Sequence, residues 1–323
     1  RFPAHPAALA AALEQATARA QTPRQRLAGA LHLARWGPRW PGGRAVILDQ
    51  CGDRRTQGPD RRQLALGLAR LGDGAAALRC LGAPAASLQS AEDLLSLGSS
   101  LLLATDATPG QQAEGRAALV RLLQRWPAAR QSDAALRVLA EDPSTAGLTT
   151  LQALPEPWRQ RAPAAARLAL AGRIDAERVL NHWPADPASW DLRWQLARRA
   201  LLQRRWAEAR HWLELPAGSR WPTPLATRQR FWLAYSLQRL GRDAEARRLW
   251  RQLLQEDGGG YYGWRASVRL GQATIAPRLT TPEANAVMRR IEALGWSPLL
   301  LAPTALERLW QAGQSLEAWE LWR

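Results

Sequence analysis

The chain has no lysine, one methionine, two cysteines, two phenylalanines, three tyrosines and four histidines among its 323 residues. Each scarcity removes a class of answer. With every cation an arginine, the basic composition speaks of a GC-rich gene more than of a task. Cys51 and Cys80 lack CxxC or Cys/His metal-ligand spacing, so zinc-finger and ribbon readings fall away. Buried free thiols are the first reading for them, and a disulfide is the alternative in an oxidising compartment. His5, His32, His182 and His211 lie far apart, and no two share a helix at ligand spacing; no metal or cofactor is expected. His211 reads as a surface or boundary residue. Strand-forming residues are few and no stretch alternates polar with apolar, which disfavours sheets. No run approaches the ~18 apolar residues of a membrane span. The sequence opens on Arg1-Phe2-Pro3 without methionine and closes on Leu321-Trp322-Arg323 inside an apolar helical pattern, so it reads as part of a longer chain whose leader is not visible.

What is present in quantity is alanine, leucine and arginine, all strong helix formers, together with 17 tryptophans and a formal charge of +16. The positive balance favours polyanions, membranes or acidic partners without choosing between them. Glu and Asp are interspersed with the arginines, which makes much of the charge a solvated helix face.

The organising signal is repetition. Five segments share one pattern, the end of a helix, a short turn, then a helix opening on Ala-Glu-Ala or a relative: Leu68–Leu78, Leu168–Arg178, Ala200–Arg210, Leu237–Arg247 and Leu309–Trp319. Glycine at the turn suits a left-handed helix end, and the acidic residues after it suit the next helix start. Ala176 to Ala209 spans 33 residues, Ala209 to Ala246 spans 37, and Ala246 to Ala318 spans 72, two units of 36. A drifting period of this size predicts tetratricopeptide-like helical hairpins. One hairpin cannot bury its own apolar stripe, so neighbours must stack. Apolar residues keep helical spacing: Phe231, Ala234, Tyr235 and Leu237 before one turn, Ala246, Leu249, Trp250 and Leu253 after it; Trp190 and Trp194 are four apart, and Trp319 and Trp322 three apart. These tryptophans read as core, with sugar stacking open only to exposed ones. Proline marks the breaks, at Trp40-Pro41, Gly58-Pro59, Thr108-Pro109, Pro155-Glu156-Pro157, Pro184 to Pro187, Pro222 to Pro224 and Thr281-Pro282, where Thr281 fits an N-cap. The stretch from Glu141 to Arg167 is the least regular.

No catalytic constellation emerges. Gly258-Gly259-Gly260 has no following Lys-Ser/Thr and no preceding strand, so it is not a phosphate loop. No carboxylate sits in an apolar setting of the kind that raises its pKa for acid catalysis. One segment stands out: the glycine run, then Tyr261-Tyr262-Gly263-Trp264-Arg265-Ala266 and Arg269-Leu270-Gly271, with two of the three tyrosines. Physically this reads as a tight helix junction, where Gly263 permits close approach and the rings fill the gap. Tyr261, Tyr262, Gly263, Trp264, Arg265 and Arg269 are the candidate contact residues.

This segment, with Leu240-Gly241-Arg242-Asp243-Ala244-Glu245-Ala246-Arg247-Arg248-Leu249-Trp250 before it, resembles soluble lytic murein transglycosylases where their helical superhelix nears the catalytic domain. Leu122-Leu123-Gln124-Arg125-Trp126-Pro127 with Asp133-Ala134-Ala135-Leu136, and the opening Arg1–Ala7, are similar to that family's repeats. The resemblance implies a bacterial periplasm or cell envelope, peptidoglycan as partner, and a C-terminal lysozyme-like domain whose single Glu cleaves the glycan. The Glu-Ser and Gly-Leu-Met-Gln signature of that domain is not in the chain; Met288 stands in Ala286-Val287-Met288-Arg289, which does not match. No catalytic residue carries over. The resemblance thus implies an all-α, right-handed α-superhelix of stacked hairpins over 1–272, able to curve into a ring, and the start of a linker-type helical domain over 273–323. Arginines on its inner face would meet the carboxylates of the wall's peptide stems. The alternative is a tetratricopeptide-like protein-binding scaffold. Nucleic-acid binding ranks last, because the arginines do not recur at one position in every repeat.

Overall fold

Helix starts are written locally. Thr22 and Thr108 each accept a hydrogen bond from the backbone N–H three residues on, while Gln25 and Gln111 reach back to the cap's own N–H. Ser90, Ser144, Asp73 and Asp186 cap four more helices through their side-chain oxygens. Among the described residues proline occupies the first turn of eight helices, where its missing N–H costs nothing. The computed structural model describes residues 2–214, 223–257 and 260–272. Among the described residues every regular element is helical and there is no strand.

The chain divides into two units, Arg1–Val179 and Leu180–Arg323. The first contains α1 (Pro6–Thr17), α2 (Pro23–Trp36), α3 (Gly43–Gly52), α4 (Gly58–Arg70), α5 (Gly74–Leu81), a 3-10 turn (Ala85–Ser87), α6 (Ala91–Leu103), α7 (Pro109–Arg125), α8 (Arg130–Glu141), α9 (Thr145–Ala153), α10 (Glu156–Arg159) and α11 (Ala162–Leu170). The division falls within α12 (Ala176–His182). The second unit contains α13 (Pro187–Leu202), α14 (Trp206–Leu213), α15 (Thr223–Arg239), α16 (Asp243–Asp257) and α17 (Tyr261–Arg269). The expected domain start over 273–323 lies outside the described residues. So do the hairpin segment 309–319, Trp319, Trp322 and the Thr281 cap.

Four of the five hairpin segments lie within the described residues, and each turns between two helices. Their geometry recurs. Asp73, Arg173, Arg205 and Arg242 donate their backbone N–H to the carbonyls of Leu68, Leu168, Ala200 and Leu237; the residue before each donates to Ala69, Ala169, Leu201 and Gln238. This is a Schellman motif, whose penultimate residue must be left-handed. Gly72, Gly172 and Gly241 fill that place at φ 82°, 69° and 78°; in the remaining turn Arg204 takes it at φ 56°. A further copy, with Gly271 left-handed and Gln272 donating to Ser267, closes α17. Three turns start the next helix two residues later, which sets Ala77, Ala209 and Ala246, all fully buried, five residues past the turn. The turn at Gly172 departs. Its helix begins only at Ala176, where Asp175 accepts from Glu177 and Arg178, and there the two units divide.

The core of unit 1 is almost wholly leucine and alanine, with Leu33, Leu64, Leu68, Leu94, Leu119, Leu122 and Leu139 fully buried. Each such leucine stabilises by about 1.5–3 kcal/mol. Glycine lets the backbones close up. A Cβ on Gly115 would come 2.8 Å from the Gly98 carbonyl oxygen and one on Gly98 would come 3.1 Å from that of Gly115, so α6 and α7 touch main chain to main chain.

Two expectations need correction here. Cys51 and Cys80 are not free thiols. They form a disulfide between α3 and α5, with Cα atoms 5.2 Å apart across 29 residues. Both helices pack on α4, which brings the two residues within bridging range, a proximity that sequence spacing does not reveal. The stretch 141–167 is not irregular but holds α9, α10 and the start of α11. Its order comes from Asp142, only 4% exposed. Its carboxylate accepts from Arg116 at 2.8 Å and from the Ser144 N–H at 2.9 Å, while Arg167 donates to the Asp142 and Pro143 carbonyls. Burial pushes its pKa up, but the bonds from Ser144 and Arg116 outweigh it and hold the carboxyl below the ordinary value.

Candidate functional site

In unit 2, α15 carries Arg228, Phe231, Trp232, Tyr235 and Arg239 at intervals of three and four, one helix face. On α17, Tyr261, Arg265 and Arg269 are each four apart. The two faces meet. The Arg265 guanidinium lies 5.4 Å from the Phe231 ring and 5.8 Å from that of Tyr261, and Arg269 lies 4.9 Å from Tyr235. Tyr262 packs on Phe231 at 5.6 Å, and Phe231 reaches Trp250 of α16 at 6.5 Å. Arg228 covers Trp194 of α13 at 4.0 Å, and Arg239 covers Trp206 of α14 at 5.2 Å. Trp206 in turn meets Tyr235 edge-on at 5.8 Å. Guanidinium planes thus alternate with rings, each pair worth about 0.5–2 kcal/mol according to its desolvation.

The six residues singled out from the sequence all belong to α17. Tyr261 is 45% exposed and accepts a hydrogen bond from Arg265 at 3.0 Å. Tyr262 is half-buried, and burial pushes its phenol up to about 12, with the Arg228 charge opposing. Gly263 is buried; Trp264 is half-buried, its ring 6.2 Å from Tyr261. Arg265 is only 8% exposed. The Arg269 pKa lies below its usual value, first because burial strips its water; Tyr235 opposes this, and the charges of Arg265 and Arg239 add to it. The expected ring-filled junction is there, and it gathers arginines that sequence reasoning had left out: Arg228 and Arg239. Their spacing of four to Tyr235 and of three to Phe231 was the available signal.

The tryptophans divide. Trp158, Trp194, Trp232 and Trp250 are buried, whereas Trp36 is 43% exposed under the Arg35 guanidinium at 5.0 Å. His211 is exposed. Among the described residues no group of three or more His, Cys, Asp or Glu could hold a metal ion, and no helix is long and apolar enough to cross a membrane. Asp53, Asp142, Glu245 and Glu256 all have carboxyl pKa values below the ordinary range, Asp53 at about 2 through its bonds with Arg55. A general acid needs the opposite shift.

Comparison of the chain with family models, with curated proteins and with solved structures finds no match in any of the three.

Proposed function

We propose that the chain is the non-catalytic helical part of a peptidoglycan lytic transglycosylase of the soluble murein type, a right-handed superhelix that positions the wall for a lysozyme-like domain outside this sequence. The observation that carries the reading is the local fold of the resembling segment. The Leu-Gly-Arg repeat forms the α15–α16 turn and most of α16, the Tyr-Tyr-Gly-Trp-Arg-Ala stretch forms most of α17, and Phe231 of α15 meets both, Trp250 of the first and Tyr262 and Arg265 of the second. Two further features agree. The Cys51–Cys80 disulfide fits the oxidising cell envelope. The recurrent turn, with a fully buried alanine five residues on in three of four copies, is compatible with the close hairpin stacking that a superhelix requires.

In this role arginines of the protein contact the carboxylates of the wall's peptide stems as charge-assisted pairs. Purified protein should therefore cosediment with isolated sacculi at low ionic strength and be released as salt rises. No cosedimentation at any salt concentration would remove the wall-binding role. The second reading, a tetratricopeptide-like protein-binding scaffold, draws on the same hairpins and would then take its place.

A further inference from the structure

Three chain turns of unit 2 lie at one end. Trp206 at the start of α14 touches Tyr235 near the end of α15, and Arg269 at the end of α17 lies over the same Tyr235. The turns at Arg204, Gly241 and Gly271 are thereby neighbours, and with them come Arg239 and Arg269. Arg239 is exposed, while Trp206, Tyr235 and Arg269 are half-buried, so this end carries two neighbouring rings with a guanidinium group over each. Helix-end dipoles account for an arginine in each last turn. They do not account for bringing Arg239 and Arg269 onto adjoining rings, close enough for their charges to oppose each other. At this end Glu208 already pairs with Arg205 and Glu245 with Arg242, while Glu214 and Glu256 pair with Arg210 and Arg230 at the far ends of α14 and α16.

From this convergence we infer that Arg239 and Arg269, set over Trp206 and Tyr235, form a clamp for a carboxylate of an acidic peptide. A guanidinium stacked on a ring keeps its N–H edge outward and in a fixed plane, which suits a planar two-oxygen acceptor. The inference rests on the wall-binding reading, in which the peptide is the stem of peptidoglycan, and it gives Arg269 of the resembling segment a partner, Arg239, that the resemblance does not include.

The test uses the whole chain and three probes in calorimetry: a disaccharide-tripeptide wall fragment with free stem carboxylates, the same fragment amidated, and inorganic phosphate. The free fragment should bind, the amidated one at least ~10-fold more weakly, and phosphate at equal concentration should fail to displace it. Arg239→Gln, an exposed change that leaves α15 packed, should weaken binding ~10-fold. Arg269→Gln should do the same, and Arg247→Gln on the exposed side of α16 should change nothing. Unchanged affinity in Arg239→Gln with native circular dichroism, equal binding of the amidated fragment, or displacement by phosphate would each overturn the clamp. Sacculi separate the two ideas. If wild type and Arg239→Gln cosediment equally, the clamp is wrong and the wall-binding role stands; if neither cosediments, that role fails.

Discussion

The two units solve helix packing with different materials. In the first, leucine and alanine fill the interior and glycine brings helices to main-chain contact, as at Gly98 and Gly115. In the second, Phe231, Trp194, Trp232 and Trp250 join the leucines and alanines of the interior, and arginines lie over rings of other helices, whereas in the first they lie over rings next to them in sequence or a few residues away. Small residues give short interhelical distances and depend on close fit. Large rings span wider gaps, and their faces accept cations. One kind of packing yields a plain scaffold; the other yields a surface with charge and rings arranged in order.

This contrast can be broken by experiment, beginning with the largest expected effect. Trp250→Ala empties the fully buried centre of unit 2 and should cost about 3–5 kcal/mol. Hydrogen exchange followed by mass spectrometry should show lost protection in α13 to α17 and unchanged protection in α1 to α9. Equal loss in both would mean that the units do not have separate interiors. Asp142→Ala leaves the Arg116 charge buried without its partner, and should cost about 3 kcal/mol, read as a lower urea midpoint for unit 1. It also has a pH signature. The folded pKa is lowered, so the stabilisation is complete above the unfolded aspartate value of about 3.9 and disappears as pH falls through the folded one. The variant should lose that part of the acid dependence. Gly115→Ala pushes a methyl against the Gly98 carbonyl and should destabilise unit 1 by about 1–3 kcal/mol, whereas Ala substitutions at exposed Arg247 or Arg251 of unit 2 should have no resolvable effect. The smallest change has the opposite sign. Arg204→Gly relieves the non-glycine left-handed turn and should stabilise unit 2 by about 1 kcal/mol in thermal melts.

The helical class and the hairpin turns were legible because they are local. Thr22-Pro23 with Gln25, Thr108-Pro109 with Gln111, and Gly72, Gly172 and Gly241 carry their geometry within six residues. The disulfide was not legible, since the nearness of Cys51 and Cys80 depends on both α3 and α5 lying against α4. The order of 141–167 was hidden for the same reason: its organiser, Asp142, draws on Arg116 from α7 and Arg167 from α11. At the candidate site, the tyrosines of α17 were visible as an unusual cluster. The arginines of α15 looked like ordinary helix surface until the fold laid them on rings.

The covalent link between α3 and α5 also encloses α4, whose Leu64 and Leu68 are fully buried. That helix cannot peel away alone; its release requires the whole enclosed loop to loosen. Its amides should therefore exchange only through wide openings of the first unit, and a reductant should convert it to a segment that breathes independently, giving the molecule a built-in record of whether it has passed through an oxidising compartment.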